Sequence, residues 1–385
     1  MKITIVTGFF LPVPPVRGGS TEKIWHRLAQ EFAAAGHEVT LISRTWPGFA
    51  PQETAAGVRY RRLPGADHTR SLLRNLWLDF RWGLRVARAL PAGDVVICNT
   101  VLLPVWLGRC KPSAGRVVAV VARMPKGHGR GYGGVDLLLA LGATVAERLR
   151  TENPRLASRI ALFPYPIDWP LLAGARAAAT RPAAPLVIGY VGRLHPEKGL
   201  DLLLAAARLL AQRDGLPPWT LEIVGPVGVA AGGGGEAWWH GLQAEFAPAL
   251  GGRLRQSGAE FDPKKLADRY AAMDIFCYPS VAEEGETFGV AVAEAMAAGC
   301  APVVSGLRCF QELVRDGETG LVFDHRAPDA AAQLARVLAR LLGDTAERRA
   351  LAARAQSHAR NYDFAACSRN LLEQLARLVS AGRNP

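Results

Sequence analysis

The sequence has no C-x-x-C pair, no apolar run long enough to cross a bilayer, and no cleavable leader pattern ahead of its first strand-like stretch. Six cysteines (Cys98, Cys110, Cys277, Cys300, Cys309, Cys367) are scattered over 385 residues. That spacing gives neither a disulfide framework nor a zinc site, so reduced thiols in a cytosolic chain without a metal are expected. A membrane-spanning helix needs roughly 18 consecutive apolar residues. None occurs, and an integral membrane protein is not expected. Met1-Lys2-Ile3-Thr4-Ile5-Val6 enters a strand-like run directly, which argues against export. Acidic residues are scarce beside basic ones, 34 against 46, a formal charge of +12. Such a balance favours anionic company (nucleotide phosphates, lipid headgroups or nucleic acid) without choosing among them.

Hydrophobic residues at 49% and charged residues at 21% are those of a globular protein, and 385 residues exceed the size at which one core usually splits. Two domains are the expectation. The N-terminal half alternates strand Lys2–Thr7, a helix from Ser20 to Ala35, strand Glu38–Ser43, a helix near Ser71–Leu90, and strands Asp94–Cys98 and Arg116–Ala122. Ser20 suits the N-cap of the first helix and Gly36 its stop. A proline- and alanine-rich stretch follows, with residues 169–185 read as the linker. A second series has strands at Leu186–Tyr190, Thr220–Val224, Asp274–Tyr278, Ala301–Ser305 and Gly320–Phe323. Its helices lie at Leu200–Gln212, Lys264–Ala272, Phe288–Ala298 and Asp329–Leu342. This βαβ alternation predicts an α/β protein of two Rossmann-like halves with parallel sheets. Gly232–Gly235 reads as a mobile loop or as a substrate lid.

Two segments carry chemistry. Glu286-Thr287-Phe288-Gly289 leads into a small-residue helix holding Glu294. A helix start offers unpaired N–H groups and a positive dipole end to a diphosphate, which places phosphate near Thr287–Gly289. Glu294 would sit roughly 9 Å further along the axis, near a ribose, and Glu286 on the sugar side. Two carboxylates so placed can accept hydrogen bonds from paired hydroxyls. The plainer alternative makes Glu286 a dipole-complementing residue and Glu294 a solvated one. Upstream, Gly192-Arg193-Leu194-His195-Pro196-Glu197-Lys198 follows a buried strand at the end where doubly wound sheets bind ligands. Arg193 and Lys198 would stabilise a departing diphosphate there.

With these residues in place, the chain resembles glycosyltransferase family 4, the retaining GT-B enzymes. The family's E-x7-E signature matches Glu286 and Glu294, and its arginine–lysine pair matches Arg193 and Lys198. Its strand-then-serine entry matches Tyr278-Pro279-Ser280, and Ala298-Gly299-Cys300-Ala301-Pro302 matches its small-residue run. Pro15-Val16-Arg17-Gly18-Gly19-Ser20 resembles its glycine-rich loop, where Gly18 and Gly19 allow close approach to the donor phosphate. It is not the G-x-G-x-x-G fingerprint of dinucleotide-binding oxidoreductases. The resemblance implies two Rossmann-like domains facing each other across a cleft. It also implies metal-free, retaining transfer of a hexosyl-type group from a nucleotide-diphosphate sugar, with no cofactor, to an acceptor hydroxyl on a glycan, a lipid-linked acceptor or a small molecule. The base would lie against a loop including Glu260, Phe261 and Asp262. The final helix, Asp363–Ser380, would cross back, giving domains of 1–168 plus 363–385 and of 186–362.

The sequence departs from the family in the mid-domain loop. A histidine–glycine pair is replaced by Arg123-Met124-Pro125-Lys126-Gly127-His128, so His128 reads either as the family's catalytic histidine or as a structural residue. A nucleotide-sugar 2-epimerase and a catalytically inactive nucleotide-sugar-binding subunit stay open as alternatives. Between Arg59 and Arg88, eight arginines face only Asp67 and Asp79, with Trp77, Phe80 and Trp82 interleaved. This segment reads as a peripheral contact on the inner face of an anionic membrane, or as a solvated helix whose aromatics are core. Nucleic acid is not expected as a partner.

Overall fold

Alternating apolar runs and amphipathic helices build two α/β units in a computed structural model that describes residues 1–69, 71–179 and 185–382. One unit comprises Met1–Pro166 with Phe364–Pro385, the other Ile167–Asp363.

The first unit holds strands β1 (Lys2–Val6), β2 (Glu38–Arg44), β3 (Gln52–Ala55), β4 (Val58–Leu63), β5 (Val95–Cys98), β6 (Arg116–Val121), β7 (Leu137–Ala140) and β8 (Ile160–Leu162), with helices α1 (Ser20–Ala34), α2 (Leu72–Ala89), α3 (Leu103–Cys110) and α4 (Ala143–Glu152). The sheet order is β3-β4-β2-β1-β5-β6-β7-β8, parallel except for the β3–β4 hairpin. Ile3, Ile5, Val6 and every residue of β5 are buried, as strands covered on both faces require. The hairpin has no counterpart in the sequence reading. All four β3 residues are exposed, so no apolar period marks them, and its two-residue turn puts both Ala56 and Gly57 at positive φ. Ser20 is not the N-cap of α1. Gly19, at φ 94°, occupies that place and Ser20 opens the helix.

The second unit holds β9 (Leu186–Val191), β10 (Trp219–Val224), β11 (Leu254–Ser257), β12 (Ile275–Tyr278), β13 (Ala301–Ser305) and β14 (Leu321–Phe323). Its helices are α5 (Trp169–Ala178), α6 (Leu200–Ala211), α7 (Glu236–Leu250), α8 (Pro263–Ala271), α9 (Val290–Ala297), α10 (Ala330–Gly343) and α11 (Thr345–Ala359). The all-parallel order β11-β10-β9-β12-β13-β14 puts the topological switch point between β9 and β12. The segment 169–185 is not a linker in its first part. Asp168 caps α5, which packs on α8 and α9, and Arg176 donates to the carbonyls of Ala271 (2.9 Å) and Met273 (2.7 Å). Proline and alanine there mark a capped helix with Pro170 in its first turn; residues 180–184 lie outside the described residues. The last helix, α12 (Phe364–Ser380), returns to the first unit. It buries Phe364, Cys367, Leu371 and Leu375 and packs on α1, with the Arg27 guanidinium over the Phe364 ring.

Candidate functional site

The loops leaving β9 and β12 start from adjacent strands at the switch point and are sewn together. The Glu197 carbonyl accepts from the Val281 N–H (2.9 Å) and from the Ser280 hydroxyl (3.1 Å). Two glycines make this approach feasible. A Cβ at Gly192 would meet the Tyr190 hydroxyl at 2.7 Å, and Gly199, at φ 66°, faces the Pro279 carbonyl where a side chain would strike it. Beneath the loops, Tyr190 and Tyr278 stack at 5.5 Å and 8°. The Tyr190 hydroxyl donates to the Arg193 carbonyl at 2.9 Å, fixing the turn that presents Arg193.

On this base Lys198 and Glu286 form a buried ion pair, 5% and 8% exposed, with the ammonium 5.9 Å from the centre of the Tyr278 ring. The Arg193 guanidinium is half in solvent. It donates to Glu197 at 3.0 Å and to the Gly232 carbonyl at 2.6 Å. Glu197 also lies 3.8 Å from the Lys198 ammonium. The structure therefore gathers Gly192, Arg193, Lys198 and Glu286, and adds Glu197 and Ser280. Glu197 stands four residues after Arg193, a spacing that pairs opposite charges on one turn. The Gly232–Gly235 run is not loose. Gly234 N–H donates to the Leu194 carbonyl (2.7 Å) and Gly235 N–H to that of Val227 (2.9 Å), closing this loop onto the Arg193 turn.

Helix α9 starts two residues later than the sequence suggested, with Gly289 as N-cap at φ 94°. A Cβ there would meet the Phe310 ring at 2.9 Å. The axial rise from the helix start to Glu294 is thus about 6 Å rather than 9 Å. Glu294 is not a solvated residue. It is 9% exposed and accepts from the Tyr270 hydroxyl at 3.1 Å, a phenol that burial holds well above its usual pKa. Phe288 does not offer its ring to a ligand, because it is buried edge-on against Tyr362 at 5.3 Å. Thr287 is half-buried, and Phe261 is 60% exposed just before α8, whose N-cap is Asp262.

Gly18, Gly19 and His128 belong to the first unit. Gly18 and Gly19, at φ 75° and 94°, follow β1 at that unit's own switch point, between β1 and β5. Glu22, unmarked by the sequence reading, is buried under this loop, where a Cβ on Gly19 would collide with its carboxylate. Desolvation pushes the Glu22 carboxyl up to about 7, against the lowering pull of a backbone N–H and of Arg123. His128 is half-buried, edge-on to Tyr132 at 5.8 Å, and its pKa is lowered by burial. Its loop is anchored by Glu152, which accepts from the N–H groups of Gly127 (2.7 Å) and Gly129 (3.0 Å). Among the described residues no three His, Cys, Asp or Glu side chains gather so as to hold a metal ion.

Residues 175–358 match the family described as glycosyl transferases group 1. The chain is 32% identical over 213 residues to the D-inositol 3-phosphate glycosyltransferase of Salinispora tropica, a match covering 54% of this chain and 42% of that protein. It thus spans under half the length of that curated relative. The sucrose-phosphate synthase of Thermosynechococcus elongatus superposes with a TM-score of 0.79 at 22% identity, over 99% of this chain and 100% of that one. An Anabaena protein solved in complex with UDP-glucose superposes at 0.68 with 20% identity, over 98% and 100%. At these identities the likeness shows the fold, GT-B, with two Rossmann-like units.

Proposed function

We propose that this chain, whose C-terminal unit belongs to the glycosyl transferases group 1, moves a hexosyl-type group from a nucleotide-diphosphate sugar to an acceptor hydroxyl with retention of configuration. The observation that carries the reading is the paired cluster at the β9–β12 switch point, Lys198 with Glu286 and Arg193 with Glu197. Two cations at one strand end match the two phosphates of a nucleoside diphosphate, and each is held ready by a carboxylate that can turn to a sugar hydroxyl instead. That a structural neighbour was solved with UDP-glucose supports a donor of this class.

In the proposed reaction the bond between the anomeric carbon and the diphosphate oxygen breaks, and Arg193 and Lys198 take up the charge on the leaving group. Removing one such donor typically costs about 3–4 kcal/mol of transition-state stabilisation. The acceptor hydroxyl attacks from the face the diphosphate leaves, and its proton passes to the departing phosphate oxygen. Glu294, steadied by Tyr270, would hold the ribose, Thr287 to Gly289 would lie along the diphosphate, Phe261 beside the base, and Gly18 and Gly19 near the donor phosphate. His128 is kept as a candidate for the acceptor side, and no cofactor or metal is invoked.

Calorimetry of the full chain with UDP, GDP and ADP tests the reading. One of them should bind, and Lys198→Ala should weaken it at least about tenfold, the equivalent of 1.4 kcal/mol. If none binds, the donor class is wrong. Product analysis with the matching sugar nucleotide then distinguishes transfer from 2-epimerisation, which yields an altered sugar nucleotide without acceptor.

A further inference from the structure

Helix α2 carries two apolar faces where a surface helix needs one. Asp79, Trp82, Gly83, Val86 and Ala89 face the core, with the Trp82 indole N–H donating to the Thr7 carbonyl at 3.0 Å. Of the aromatics on α2, Trp82 is the one in the core. On the other side, Leu73, Trp77, Phe80 and Leu84 recur at the i, i+4, i+7, i+11 spacing of a second stripe. Leu73 is 79% exposed, Trp77 54% and Phe80 42%, and Leu72 at the helix start is 72% exposed.

At about 100° per residue this outward stripe is bordered along one side by Arg74, Arg81 and Arg88, seven residues apart and all exposed. Arg81 stacks over the Trp77 ring at 4.6 Å. Among the described residues none of these three arginines enters an ion pair. The helix's one acid, Asp79, is turned inward, where its carboxylate accepts from the Leu102 N–H at 2.9 Å. Arg70 lies outside the described residues. Because α2 follows β4, its Leu72–Leu73 end lies at the carboxyl edge of the sheet, where Val16 and Val101 are also exposed.

We propose that this face of α2 docks on an anionic membrane surface, the Leu73–Trp77–Phe80–Leu84 stripe entering the headgroup layer while Arg74, Arg81 and Arg88 meet lipid phosphates. Charge complementarity names the occupant. An apolar stripe flanked by unpaired arginines, with no acid on the exposed face, suits a surface that is apolar below and negative above. A single-stranded nucleic acid would use the arginines and Trp77 but leave the leucines in water. The inference is independent of the reaction proposed above, since it is measured without turnover.

The full chain is sedimented with vesicles of phosphatidylcholine alone and of three parts phosphatidylcholine to one part phosphatidylglycerol. It should pellet with the second and not the first. Replacing all three arginines (Arg74→Gln, Arg81→Gln, Arg88→Gln) should weaken binding about a hundredfold, at roughly fivefold per arginine. Leu73→Ser with Trp77→Ser should weaken it at least about tenfold. Should these variants misfold, brominated acyl chains provide a second readout, because they should quench wild-type tryptophan emission more than that of Trp77→Phe. Wild-type protein left in the supernatant overturns the proposal. So does a Leu73/Trp77 variant that binds as wild type, equal quenching of the two chains, or capture of a single-stranded oligonucleotide in place of vesicles.

Discussion

Replacing Lys198 by methionine removes a buried charge while keeping most of the side chain's length, and so isolates the electrostatics of the switch-point cluster. Its partner Glu286 is 8% exposed, and the cluster's other permanent cation among the described residues, Arg193, is committed to Glu197 and to the Gly232 carbonyl. Stripping one member from a buried pair leaves an uncompensated charge and costs about 3–5 kcal/mol. In a unit of this size each kcal/mol moves the melting temperature by about 2–4 °C, so the transition of the C-terminal unit should fall by about 10 °C. The pair is shielded from solvent, and the loss should persist at high salt, unlike that of an exposed pair. Glu286→Gln should cost less, because the ammonium keeps Glu197 at 3.8 Å. Joined with Lys198→Met, it should show a coupling of at least about 2 kcal/mol. Differential scanning calorimetry of the full chain, read on the transition that Lys198→Met shifts, provides the measurement. A Lys198→Met melt within about 2 °C of wild type, or single effects that simply add in the double variant, would refute the reasoning.

Glu22→Gln should raise stability at neutral pH and leave it unchanged in acid. The folded carboxyl titrates at about 7 against an ordinary 4.5, so the wild type keeps its full stability below about pH 4.5, loses it as pH rises toward 7, and is level above that. At 1.36 kcal/mol per pH unit the variant's gain approaches about 3 kcal/mol; a difference between the two melting curves that does not change with pH would contradict it. Tyr270→Phe takes a donor from the buried Glu294 carboxylate and should cost about 1.5–3 kcal/mol. On the proposed reading it should also weaken a nucleoside diphosphate about tenfold while leaving pyrophosphate unaffected, and equal losses for both would remove Glu294 from the ribose.

Strands such as Val95–Cys98 and Ala301–Ser305 were legible because burial on both faces leaves continuous apolar runs. Exposure on both faces hid β3, and helix α5 hid behind the prolines that open it. The site divided along similar lines. Arg193, Lys198, Glu286 and Glu294 announced themselves as charges beside apolar elements, where a charge must find a partner. Lys198 and Glu286 proved to be each other's partners, but the partners of Arg193 and Glu294 were not legible. Glu197 and Tyr270, which supply them, carry no motif that marks them in the sequence. At Phe288 the backbone stays beside Glu286 and Gly289, while the ring is committed to Tyr362. Sequence adjacency reports where the backbone goes; which way a side chain turns depends on residues more than 70 positions away.

The charges of the cluster cancel: Arg193 and Lys198 against Glu197 and Glu286. Such a quartet can rest at a strand end without a ligand, because no buried charge is left alone. The same neutrality sets the terms on which a diphosphate can enter. It must displace two carboxylates from two cations, and the displaced Glu286, still buried, must then find donors of its own. Sugar hydroxyls are donors of the right kind, and free nucleoside diphosphate has none at that end. The full sugar nucleotide should therefore satisfy the cluster better than the diphosphate alone, and Glu286→Gln, which no longer carries a charge to be satisfied, should narrow the gap between them. On the proposed reading the coupling would run through the Lys198–Glu286 pair itself, so that binding of the sugar and release of the ammonium toward the leaving group would be one event rather than two.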